Sequence, residues 1–146
     1  MSFGEEGQAG GIEGVVFGVL VFVLGTTLVI NAWGVIDAKL ATTSAAREAA
    51  RTYVESTSAD QGQADAEAAA REAIKAQGRD PNRGHYPAPK GAFARCSRIT
   101  YKVTYDVPLI AVPVLGQTGH GITVSSEHSE VVDPYRAGLP GEAACG

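Results

Sequence analysis

An α+β fold, built on one long apolar N-terminal helix, is what this sequence predicts, and three observations predict it. Residues 14–36 contain no charged side chain. Residues 37–77 are rich in Ala, free of Pro and patterned as helix, with one interruption near residue 58. Beyond residue 98 the apolar period changes from 3.6 to 2, the signature of strands with one wet face.

The apolar run reads Gly14-Val-Val-Phe-Gly-Val-Leu-Val-Phe-Val-Leu-Gly-Thr-Thr-Leu-Val-Ile-Asn-Ala-Trp-Gly-Val-Ile36. As a helix rising 1.5 Å per residue it extends about 34 Å, enough for a hydrocarbon core of about 30 Å. Gly14, Gly18 and Gly25 weaken a helix in water, but in a bilayer the backbone must hydrogen-bond to itself. Trp33 lies near the C-terminal end of the run, where an indole prefers the membrane interface. A buried helix of a soluble protein is the rival reading, and the remaining chain is too small and too polar to surround one. A cleaved secretory signal needs a basic n-region, whereas the first thirteen residues contain no Lys or Arg. The expected partner of this segment is a lipid bilayer, crossed once.

Orientation is contested within the sequence. Glu5, Glu6 and Glu13 precede the run, and Lys39, Arg47 and Arg51 follow it. Counting Lys and Arg alone places the C-terminal part in the cytoplasm. The two cysteines, Cys96 and Cys145, argue the other way. An even count outside the apolar segment suits one disulfide in an oxidising compartment. Two unrelated thiols are the alternative.

The helical pattern continues past Ile36 without Gly or Pro to Ser56, giving one continuous helix of about forty residues at 1.5 Å each. Ile36, Leu40, Ala46, Ala50 and Val54 are expected to form its buried stripe. Ser58 and Gln61 resemble a capping box opening a second helix through Gln77, which Gly78 stops. Residues 78–92 are a loop by composition. Ile99, Tyr101, Val103, Tyr105 and Val107 alternate with polar residues in a first long strand. Pro108 and Pro113 bracket an apolar stretch, Leu109 to Leu115, that cannot be a central strand. Gly116 to Gly121 makes a turn, and Ile122 to Val132 reads as a second strand, polar enough to lie at an edge. A third short strand is expected near Ala92 to Arg95, with one or both helices covering the apolar face.

Nothing in the sequence announces an enzyme. The GxxxxGK[ST], GxSxG and HExxH patterns are missing. The glycines of residues 116–121 are not followed by a helix whose N-terminus could support an anion. His120 and His128 are too far apart on an extended strand to share a metal, and Glu127 and Glu130 fall on opposite faces. Twelve Lys and Arg scattered among sixteen acids, net charge -4, do not make the basic face that nucleic acid requires. No cofactor is expected. Glu13 is the unusual residue, a carboxylate at the mouth of an apolar helix. It is either a residue at the membrane interface or the partner of an N-terminal amine freed by processing.

Gly7-Gln-Ala-Gly-Gly-Ile-Glu13, the apolar helix and Ala45-Ala-Arg-Glu-Ala-Ala-Arg51 together resemble the TadE-like proteins, minor pseudopilins of tight-adherence pilus systems. With Val132-Asp-Pro-Tyr-Arg136 near the end, the chain looks most like forms from high-GC Gram-positive bacteria. The resemblance implies a short leader cut by a prepilin-type peptidase, here between Gly7 and Gln8, and an external C-terminal domain. It gives Glu13 the part of the acidic residue near the start of the mature helix, and Glu13 is expected to matter for assembly more than for anchoring. In the family that acid is the fifth residue after the cut, and here Glu13 is the sixth.

The organisation expected is therefore a short leader and N-terminal segment over 1–13, a transmembrane helix over 14–36, an amphipathic extension over 37–57 and an extracytoplasmic α+β domain over 58–146. The function expected is structural: a membrane-anchored pseudopilin-like subunit or assembly factor whose partners are other pilin-like subunits and the pilus assembly machinery. A membrane-tethered extracytoplasmic binding module unrelated to pili is the alternative.

Overall fold

The computed structural model describes residues 9–110, 121–142, 144 and 145. Helix α1 spans Ala9–Glu55 and helix α2 spans Ala59–Ala76. A 3-10 turn at Pro81–Arg83 leads into β1 (Gly84–His85), and β2 (Arg98–Val107) and β3 (Ile122–Val131) complete an antiparallel sheet of order β1-β2-β3. The fold is α+β, with β2 central and β3 at an edge.

Helix α1 is unbroken over 47 residues and has two unlike halves. From Gly11 to Thr26 every residue is exposed, including Phe17 and Phe22, so nothing among the described residues covers the apolar half. By length and composition that half fits a membrane span. From Ala38 onward the helix packs against α2, β2 and β3. The stripe that does this consists of small residues: Ala38, Ala41, Thr42, Ala45, Ala46, Ala49 and Ala50, with Tyr53 near the end. The expected stripe is thus corrected in its first two members, because Ile36 and Leu40 are 56% and 63% exposed. The reason is steric. With α2 on one flank and the sheet on another, α1 must be approached closely from two directions, and a methyl side chain allows this where a branched one holds the backbones apart.

The turn between the helices follows local rules. Ser58 caps α2, its hydroxyl accepting from the Gln61 amide at 3.3 Å. The reciprocal half of a capping box is absent, since Gln61 turns its carbonyl to the Thr57 hydroxyl instead. At the other end Gly78 takes a left-handed φ of 72°, and its amide and that of Arg79 satisfy the carbonyls of Lys75 and Ile74. Gly62 of α2 lies against Tyr53 and Ser56, while Arg79 reaches Gly34 and Asp37, so α2 runs antiparallel to α1.

In β2 the residues Ile99, Tyr101, Val103, Tyr105 and Val107 are all buried, and α1 crosses this face. The outer face is a row of cross-strand polar pairs: Thr100 with Ser129 at 2.8 Å, Lys102 with Glu127 at 3.4 Å, and Thr123 with Asp106 at 2.6 Å. The third strand is not at Ala92 to Arg95. Gly84 and His85 hold that place, opposite Tyr105 and Thr104. The chain around 92–95 is bent by Gly91 (φ 119°) before it and Cys96 (φ 61°) after it, and a strand cannot form between two left-handed residues so close together. The expected turn at Gly116 to Gly121 falls mostly on residues 111–120, outside the described residues.

Candidate functional site

The features that set this chain apart from a plain globular domain lie along α1, where, among the described residues, Lys39 and Thr43 bond to Ser125 and Ser126 of β3 and three larger clasps fix the rest of the domain. The lowest is at Asn31, the one amide in the apolar run. Asn31 Nδ2 donates to the carbonyls of Thr27 (2.9 Å) and Ile110 (3.2 Å), and its Oδ1 accepts from the Ile110 amide at 2.8 Å. A polar side chain that would be costly in apolar surroundings is therefore satisfied by its own helix at Thr27 and by the backbone leaving β2 at Ile110. Above it, Arg79 grips Asp37 through Nη2 at 2.7 Å and Nε at 3.1 Å and donates to the Gly34 carbonyl at 2.8 Å. Its guanidinium also lies 5.6 Å from the Tyr105 ring. The highest clasp is Arg136, which donates to the carbonyls of Val54, Glu55 and Ser56. A cation at a helix C-terminus answers both the orphan carbonyls and the macrodipole there. The same guanidinium rests over Phe93, which meets Tyr53 edge-on at 5.3 Å.

Glu13 lies in the first turns of α1 and is exposed. Gly7 and Gln8, the expected leader cut, lie outside the described residues. Cys96 and Cys145 form a disulfide across 49 positions of sequence. It staples the C-terminal tail to the turn before β2, where Arg95 donates to the carbonyls of Pro140 and Leu139 and Cys96 donates to that of Val132. His128 shares the helix-facing side of β3 with Glu130, its Nε2 2.9 Å from the carboxylate, and Glu127 is on the opposite face. His85 is on β1, and His120 lies outside the described residues. Among the described residues no three His, Cys, Asp or Glu gather as a metal-ligand set.

Sequence reasoning missed Asn31, Arg79 and Arg136. Asn31 carried a usable signal, since a lone amide in an apolar run demands a partner. The two arginines carried none, because each acts on carbonyls or a carboxylate more than forty residues away. The chain matches no protein-family model, no curated protein and no solved structure.

Proposed function

We propose that this chain is a membrane-anchored minor pseudopilin-like subunit, or assembly factor, of a tight-adherence pilus, with a structural and not a catalytic role. The observation that carries the reading is the single helix α1, bare and apolar in its first half and built into a small α+β domain through its second. Such a rod transmits force and position between a membrane or filament core and a surface domain without a hinge. The resemblance of residues 7–13 and 45–51 to the TadE-like proteins supports it, as does a domain too small to enclose the apolar half. In this reading residues 14–36 cross the bilayer once and the domain is extracytoplasmic, the compartment in which Cys96 and Cys145 form their bond.

A prepilin-type peptidase then cuts before Gln8, and Glu13 acts after insertion. A carboxylate beside hydrocarbon disfavours insertion, so Glu13→Ala leaves membrane retention intact or improves it. Pairing of Glu13 with a freed N-terminal amine is strengthened by low dielectric, so the same mutant loses recovery with other pilin-like subunits. Membrane fractionation beside co-purification reads both effects, and sequencing of the mature N-terminus reads the cut. Normal recovery of the mutant with its partners makes Glu13 an interfacial residue only. An N-terminus still at Met1, with no pilin-like partner recovered, leaves the tethered binding module as the better reading.

A further inference from the structure

The clasp at Asn31 has a consequence for how the domain meets the membrane. Asn31 lies five residues inside the end of the apolar run at Ile36, about 7–8 Å along a helix rising 1.5 Å per residue. It is also two residues deeper than Trp33, whose indole is 72% exposed and suits the interface. Ile110 is bound to Asn31 through both its amide and its carbonyl, so the chain leaving β2 is held at that depth. Pro108, Leu109 and Ile110 are exposed there, Leu109 to 42% and Ile110 to 59%. The nearest charged clasp, Arg79 on Asp37, is six helix positions higher, about 9 Å at the same rise, which suits headgroup level.

We propose that the segment leaving the end of β2, Pro108 to Ile110, is a second membrane contact: Leu109 and Ile110 enter the boundary between lipid headgroups and acyl chains beside α1. The proposal rests on the reading that residues 14–36 span a bilayer, and it adds a partner for a different part of the chain. Its physical content is that the domain does not swing above the membrane on a single stalk. It is seated by two points, the helix and the β2 end, which fix its rotation about the helix axis. The Asn31 amide makes this possible, since it supplies hydrogen bonds to backbone groups that water does not reach at that depth.

The test uses the full chain in phosphatidylcholine vesicles, with Trp33→Phe removing the only tryptophan. Single tryptophans are then placed by Ile110→Trp, by Leu109→Trp, by Phe22→Trp in the apolar half, and by Gln63→Trp on the exposed face of α2. Quenching by lipids brominated at shallow or deep acyl positions reads the depth of each. Phe22→Trp is expected to be quenched most by deep bromines, Ile110→Trp and Leu109→Trp by shallow ones, and Gln63→Trp by neither. If both β2-end tryptophans behave as Gln63→Trp while Phe22→Trp is quenched, the span stands and the second contact is wrong. If Phe22→Trp is unquenched, the span fails and the proposal falls with it.

Discussion

Tyr101 shows how little slack the core has. It is fully buried, and among the described residues its hydroxyl is the buried side-chain polar atom without a hydrogen-bond partner. Desolvation, with Glu67 and Tyr86 nearby, pushes its phenol up to about 12. The ring earns its place by filling the space between sheet and helices, while the hydroxyl costs. Removing an unsatisfied buried hydroxyl recovers about 1–3 kcal/mol of desolvation in the limit, so Tyr101→Phe should stabilise the fold by about 1 kcal/mol. The folded state binds this proton more tightly than the unfolded chain, whose phenol titrates near 10. Stability from this source is therefore whole below about pH 10 and is lost as pH rises toward about 12. The advantage of Tyr101→Phe should widen across that interval. Urea unfolding of the full chain in detergent at pH 7, 9 and 11.5 measures both effects. A less stable Tyr101→Phe at pH 7 would show that the hydroxyl has a partner after all. The tyrosine itself was legible as a core residue from strand alternation, but its orphaned hydroxyl depends on what α2 and the β1 region bring near it.

At the scale of elements, the sequence announces every long element and misplaces the short one. Periodicity suffices for α1, β2 and β3, and local capping chemistry at Ser58 and Gly78 fixes both ends of α2. The short β1 has no periodicity to read, since two residues cannot show one. It exists because the end of α2 delivers Gly84 and His85 to the open edge of β2, with the Tyr86 hydroxyl bonded back to the Pro81 carbonyl at 2.9 Å. The buried face of α1 was half legible for a related reason. Hydrophobicity favours Ile36 and Leu40 as core, while the geometry of a helix packed on two sides favours Ala. Ala45→Leu should then destabilise by about 1–3 kcal/mol through overpacking. Leu40→Ala, at an exposed position, should change soluble-domain stability by no more than about 0.5 kcal/mol. Thermal unfolding followed by circular dichroism compares the two, and the reverse order would mean that the domain turns a different face of α1 inward. The three clasps belong to this scale too. Arg79 and Arg136 come from the loops after α2 and β3, which no local rule predicts, while Asn31 lies on α1 itself and meets the chain leaving β2.

At the scale of the whole molecule, α1 is a rod, and the described residues after it are wrapped back along its upper half. The sheet's β2–β3 end lies low, by Asn31, and its other end lies high, by the Arg136 clasp. The disulfide closes that upper end. Joining Cys96 to Cys145 closes a loop whose ends are 49 positions apart. In the chain-entropy account a closed loop of that length is worth about 4 kcal/mol, obtained mainly by restricting the unfolded chain. The native consequence is more local. The tail carries Arg136, so freeing the tail loosens the cap on the last carbonyls of α1 as well as the bonds from Arg95 and Cys96. The paired variant Cys96→Ser with Cys145→Ser should therefore unfold at lower urea than the parent, and its first protease cuts should fall after Val131. The parent should match that variant once reduced and behave differently before. The same bond bears on topology, because it persists only where the surroundings are oxidising. Protease added to intact protoplasts should digest the domain, and unreduced peptides from those cells should include one linking Cys96 to Cys145. Protection of the domain until lysis, with both thiols free, would put it in the cytoplasm, where the Lys and Arg following the apolar run would then have set the orientation.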